Sequence, residues 1–199
     1  MIKRTLLIIL LAITISSCRR VSPLPDSEID PGNFYRSGQM KIDDLDRFVR
    51  KKGIRTIINL RGTHPGEQWF DAEFNYTESK QIRFYSLDFE LKQLPHRRSL
   101  LLLLDILKNA PRPILVHCDN GVERTGEVAA IYEMAIKGKP KSQAMNMLSA
   151  KYSYDESDDP SKKYFIESVW KSEDWARNVY NPCKQNYSYY NHNQPECAE

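Results

Sequence analysis

The chain has 199 residues, with 29 Lys or Arg against 26 Asp or Glu, for a formal net charge of +3. So nearly balanced a chain carries no basic excess on which to build nucleic-acid binding. A hydrophobic content of 41% excludes a disordered chain, and the length suits one domain with a full core.

The first element is a leader. Met1-Ile2-Lys3-Arg4 is basic, residues 5–15 are apolar, and Ser16-Ser17 precede Cys18. This order describes a secretory signal peptide over residues 1–17; its apolar run is far shorter than the ~20 residues of a membrane span. A cysteine directly after two small residues resembles the lipobox of bacterial lipoproteins, with Ile15 where Leu is commonest. That resemblance implies cleavage before Cys18 and lipidation on it. The expected location is the cell envelope, the protein lipid-anchored outside the cytoplasmic membrane on its periplasmic side or at an outer membrane. An ordinary signal peptide with an incidental cysteine is the alternative. Loss of Lys3 and Arg4 with the leader takes the charge from +3 down by two, to +1.

Residues 18–30, with Pro23 and Pro25, read as an extended tether, and residues 34–36 as a short strand. Asp43 or Asp44 is placed to cap a helix over 44–52, with Leu45, Phe48 and Val49 inward and Gly53 as terminator. Residues 54–60 are β-branched and bounded by Gly53 and Gly62, so they read as a buried strand. A helix over 67–79 and a strand over 82–87 follow. Pro95 fits the first turn of the next helix, whose leucines (100–104) read as core. Pro113 starts a strand that runs to Cys118, and 125–137 reads as a helix. Two further helices are expected over 141–152 and 160–180, with Trp170, Trp175 and Tyr180 as core aromatics. Residues 31–181 then form the domain and 182–199 a tail. In an oxidising compartment the tail's Cys183 and Cys197 can pair, or remain two free thiols.

The most informative stretch is Val116-His117-Cys118-Asp119-Asn120-Gly121-Val122-Glu123-Arg124-Thr125-Gly126. A strand delivers a cysteine, a short glycine-containing loop follows, and a helix starts at its far end. Inward-pointing amides of residues 119–123 and the positive end of the helix dipole make an anion site. Arg124 can grip two phosphate oxygens with its planar fork. The same positive surroundings favour the thiolate form of Cys118, a nucleophile aimed at phosphorus. A buried, inert structural cysteine at a strand end is the competing reading.

With every fixed position of His-Cys-x-x-Gly-x-x-Arg-Ser/Thr-Gly met, the stretch resembles the cysteine-based protein tyrosine and dual-specificity phosphatases. Asn33 to Gln39, Gly53 to Arg61, Trp69 and Glu73 extend the likeness to bacterial members, over roughly residues 30–155. The resemblance implies an α/β fold. Its mostly parallel twisted sheet is flanked by helices on both faces, and the phosphate-binding loop lies at the C-terminal edge of the sheet. It implies hydrolysis of phosphomonoesters through a cysteinyl-phosphate, with phosphotyrosine or phosphoprotein substrates foremost. Cys118 is then nucleophile, Arg124 phosphate ligand and transition-state stabiliser, and His117 an orienting residue. Thr125 assists hydrolysis of the intermediate. The general acid of such families is an Asp about thirty residues before the cysteine, which is Asp88 here, with Glu90 its nearest competitor. Asp105 sits mid-helix among leucines and is a poor candidate.

Asp119 and Glu123 add carboxylates to the anion loop and argue against highly charged polyphosphates. An inositol-phosphate or phosphoinositide phosphatase is the second enzymatic reading. A pseudophosphatase that binds phosphorylated ligands without turnover is the reading of another class. Arg36 and Arg61, near strand ends, either contact substrate, stiffen the loop or sit in salt bridges. No metal or other cofactor is implied, and a monomer is expected.

Overall fold

A computed structural model describes residues 27–197. The leader, Cys18 and most of the expected tether lie outside the described residues. Five strands form one sheet: β1 (Ser27–Asp30), β2 (Phe34–Ser37), β3 (Thr56–Asn59), β4 (Arg83–Ser86) and β5 (Ile114–His117). Their spatial order is β1-β2-β5-β3-β4, with β1 antiparallel to β2 and every other pairing parallel. The expectation of a tether to residue 30 is corrected here. Ser27–Asp30 is an edge strand, too short and polar to announce itself.

Register explains where chemistry collects. Ser37, His117, Asn59 and Ser86 lie in one row across β2, β5, β3 and β4. The chain leaves all four parallel strands at this C-terminal edge, where open α/β sheets place their ligands. β5 is central and fully buried.

Side chains alternate across the sheet. Phe34, Ile58, Ile114 and Val116 face one core, built with α3 (Arg97–Asn109), α4 (Glu123–Ala135) and the C-terminal helices. Tyr35, Ile57 and Leu115 face the other, closed by α1 (Ile42–Lys52) and α2 (Gln68–Ser79). The α/β layering with helices on both faces is therefore as expected. Trp170, Trp175 and Tyr180 are all buried in the first core.

Several local expectations are corrected. α1 starts at Ile42 after Lys41, so neither Asp43 nor Asp44 caps it; both lie in the first turn, where their charge suits the helix dipole. Pro95 lies outside α3, whose N-cap is His96, its ring accepting the Arg98 N–H. The helix expected over 141–152 is broken into α5 (Lys141–Ala144) and two 3₁₀ turns, Met145–Met147 and Ala150–Tyr152. The break frees the Met147 carbonyl to accept from the buried Arg36. The helix expected over 160–180 is α6 (Pro160–Tyr164), a π-turn over Phe165–Val169, and α7 (Glu173–Asn178). Ser172 starts α7 by accepting the Trp175 N–H.

Candidate active site

Cys118 follows β5 directly and is fully buried at the floor of the loop. The Gly121 N–H donates to its Sγ at 3.2 Å, a donor that suits a sulfur anion. Gly121 has φ +76°, and a Cβ there would stand 2.4 Å from the Gly38 nitrogen. A Cβ on Gly38 would in turn meet the Asp119 carbonyl at 2.9 Å. The end of β2 thus presses directly on the loop, and both contacts require glycine. The Gln39 N–H adds a bond to the Asp119 carbonyl at 2.8 Å.

Arg36, one residue before Ser37 in β2, is completely buried beneath the loop. It donates to the carbonyls of Gly121 (2.8 Å), Val122 (3.0 Å) and Met147 (2.9 Å) and lies over the Tyr152 ring. Burial draws its pKa down to about 10, against the pull of Tyr152, Cys118 and Glu123, so it remains a cation at neutral pH. Turning these carbonyls outward from the site is how a buried cation stiffens an anion loop. Sequence reasoning left Arg36 among several roles, because its partners lie 85 to 111 residues away.

Arg124 stands in the first turn of α4, half-buried, with one guanidinium nitrogen 3.3 Å from the Leu60 carbonyl. Thr125 is buried, and its hydroxyl has no hydrogen-bond partner among the described residues. Val122 is the N-cap of α4, so residues 119–123 form the turn that feeds the helix. Asn120 is exposed, Glu123 half-buried. Asp119 is 57% exposed, its carboxylate 3.4 Å from Arg61. Arg61 also donates to Gln39 at 3.0 Å and stacks on Trp69 at 3.6 Å, so it braces the rim.

His117 is 2% exposed, with Nε2 2.9 Å from Glu73 Oε1 and Nδ1 3.2 Å from the Cys118 carbonyl. Burial alone would raise the Glu73 carboxyl, but His117, Gln39 and Arg61 hold it below its ordinary range. Glu73 comes from α2, on the opposite side of the sheet edge from α4. The pair orients the imidazole and with it the start of the loop.

Asp88 follows β4 and bridges to Arg61 through the backbone. The Glu90 pKa is raised, first by burial and then by the neighbouring Asp88, with Arg124 and Lys162 opposing. Leu91 and Lys92 share a recess with Asn120 and Glu123, which sets this loop against the anion loop. Asp88 and Glu90 are thus close neighbours on this loop. Asp105 lies on α3, in a salt bridge to Arg177. Far from the loop, Cys183 and Cys197 form a disulfide with their Cα atoms 5.2 Å apart. Among the described residues no cluster of three potential metal ligands occurs.

The family model described as "DSP-PTPase phosphatase fused to NAD+ Kinase" matches residues 23–167, which hold the sheet, the loop and the carboxyl pair. No curated protein matches the chain. Among solved structures, TpbA of P. aeruginosa shares 22% identity at a TM-score of 0.57, over 71% of this chain and 82% of its own. The core catalytic domain of the PP-IP phosphatase SIW14 from S. cerevisiae shares 20% at 0.57, over 72% and 83%. PTPMT1 shares 15% at 0.53, over 71% and 93%. These likenesses concern the fold. By the family match over most of its length, the chain belongs to the DSP-PTPase family and is a cysteine-based phosphatase, a hydrolase of phosphomonoesters.

Proposed function

We infer that the protein is a phosphotyrosine or phosphoprotein phosphatase working by covalent catalysis at Cys118, displayed on the envelope through a lipid on Cys18. The observation that carries this reading is the closed loop: a buried sulfur under an amide donor, with Arg124 and the α4 N-terminus at its rim.

In the first step the Cys118 sulfur attacks phosphorus in line, and the bond from phosphorus to the ester oxygen breaks. The leaving oxygen takes a proton from the Asp88–Glu90 pair, where burial and Asp88 raise the Glu90 pKa and favour its holding a proton to give. In the second step water attacks the cysteinyl-phosphate and yields its proton to the same pair. Phosphate leaves, and sulfur departs as a thiolate. Arg124 and the loop amides hold the three equatorial oxygens throughout. The buried Thr125 hydroxyl is free to donate to the departing sulfur. His117, held by Glu73, orients the loop.

The substrate reading rests on charge. Asp119 and Glu123 belong to the anion loop itself, Asp119 engages Arg61, and Glu123 shares a recess with Asp158 and Asp159. Such a rim disfavours ligands with several phosphates. TpbA has been crystallised with phosphotyrosine (pTyr), and PTPMT1 with PI(5)P. The test is one panel of phosphotyrosine peptides, inositol phosphates and phosphatidylinositol phosphates. The highest kcat/KM is expected on a phosphotyrosine peptide; preference for either inositol class would refute the assignment. Cys18→Ser is expected to release the protein from membranes, and continued membrane association would refute the anchor.

A further inference from the structure

The acid loop has no regular structure of its own, yet its backbone is tied down from within the core. Lys162, on α6, is 0% exposed, and its ammonium donates to the carbonyls of Glu90 and Gln93, both at 2.6 Å. Its third direction faces Glu127 of α4, 3.4 Å away and equally buried. One turn earlier, the buried Asp159 accepts the Lys92 N–H at 2.8 Å while capping α6 through the Ser161 N–H. The Ser161 hydroxyl also reaches the Gln93 carbonyl at 3.3 Å. Every loop backbone group held in this way, the carbonyls of Glu90 and Gln93 and the N–H of Lys92, belongs to residues 90–93, which run from Glu90 toward α3.

A buried lysine is costly, and a core needing only stability would fill this space with an apolar side chain. Both loop carbonyls that Lys162 holds lie within the segment that carries Glu90. We propose that Lys162 and Asp159 are positioning residues of the phosphatase reaction, clamping the loop so that the Asp88–Glu90 pair meets the leaving oxygen. The inference rests on the reading of that pair as the general acid. Neither clamp residue touches substrate. Their effect falls on protonation of the leaving group, not on binding of phosphate by the Cys118–Arg124 loop.

The test uses the full chain and two phosphomonoesters, p-nitrophenyl phosphate with a good leaving group and phenyl phosphate with a poor one. The double variant Glu127→Gln/Lys162→Met removes the clamp and its counter-charge together, so no lone charge is left buried. Asp159→Asn loosens Lys92 while leaving an N-cap on α6 and the buried pair in place. In each, kcat for phenyl phosphate is expected to fall about tenfold or more, well beyond any fall for p-nitrophenyl phosphate. Inhibition by vanadate should stay near the wild-type concentration. Equal losses on both esters, or vanadate affinity lost in step with kcat, would overturn the proposal. Asp88→Asn and Glu90→Gln run alongside. If neither separates the two esters, the acid reading fails and the clamp with it. If either does while the clamp variants do not, the clamp alone is wrong.

Discussion

His117 Nε2 lies 2.9 Å from Glu73 Oε1, and both side chains are 2% exposed. The contact joins β5, the strand that leads into the nucleophile, to α2, which covers the face of the sheet opposite α4. Because His117 pulls the Glu73 carboxyl below its ordinary range, its contribution to stability is present above the ordinary carboxylate pKa. That contribution is lost as pH falls through the lowered value. Glu73→Gln is therefore expected to flatten the acid limb of the stability curve. Glu73→Ala should cost about 3 kcal/mol at neutral pH, within the range for breaking a buried pair. Urea titrations of the two variants from pH 7 downward check both statements.

Arg36 supplies the only buried cation beneath the anion loop among the described residues. Removing its guanidinium strands the carbonyls of Gly121, Val122 and Met147. Arg36→Met should cost about 3 kcal/mol or more. Where folded protein remains, vanadate inhibition should weaken with it. Arg36→Lys is expected to fail as a rescue, since one ammonium cannot reproduce a planar fork shared among three acceptors. Denaturant midpoints and vanadate titrations provide the measurement.

Glu127 behaves oppositely to Glu73. Burial pushes its carboxyl up to about 7 despite Lys162, with Asp159 adding to the rise. A folded-state pKa above the ordinary 4.5 means the folded protein holds the proton more tightly. The stabilisation is then greatest below pH 4.5 and is lost as pH rises toward about 7. Relative to wild type, Glu127→Gln should remove that decline. The difference between the two unfolding curves across this window is the readout.

The tail is held to the domain by more than its disulfide. The Tyr189 carbonyl accepts the Leu94 N–H at 2.8 Å, and Tyr190 is buried in the core. Cys183 and Cys197 are 14 residues apart in sequence. Closing a loop of that length contributes about 3 kcal/mol in the chain-entropy account. Cys183→Ser/Cys197→Ser should lower the melting temperature by an amount matched by reducing the wild type. Unchanged melting in the double variant would mean the tail docks without its bridge.

What could be read from sequence was what lies close together along the chain. The strand, loop and helix around Cys118 occupy thirteen consecutive residues from Ile114 to Gly126, so their chemistry is visible in order. The alternation of strands and helices likewise carried the α/β architecture. Arg36, Glu73 and Lys162 were harder because their partners arrive through tertiary folding. Glu73 was noticed only as part of a family likeness, and Lys162 looks like any surface lysine in a polar stretch. The broken helices after residue 140 failed for a related reason. Local propensity favours continuous helix there, whereas packing on α4 and the demand of Arg36 for the Met147 carbonyl favour a break. One signal was readable: Ser172 followed by Glu173 and Asp174 is an N-cap with an acidic first turn, and it marks the restart at α7.

Phosphate passes through sulfur at Cys118 in the proposed reaction. Rapid acid quench of the enzyme during turnover of p-nitrophenyl phosphate, followed by peptide mass spectrometry, tests it most directly. A phosphoryl group is expected on the peptide containing Cys118, and none, with no vanadate-sensitive hydrolysis, in Cys118→Ser. Hydrolysis that survives in Cys118→Ser and remains sensitive to vanadate would contradict it.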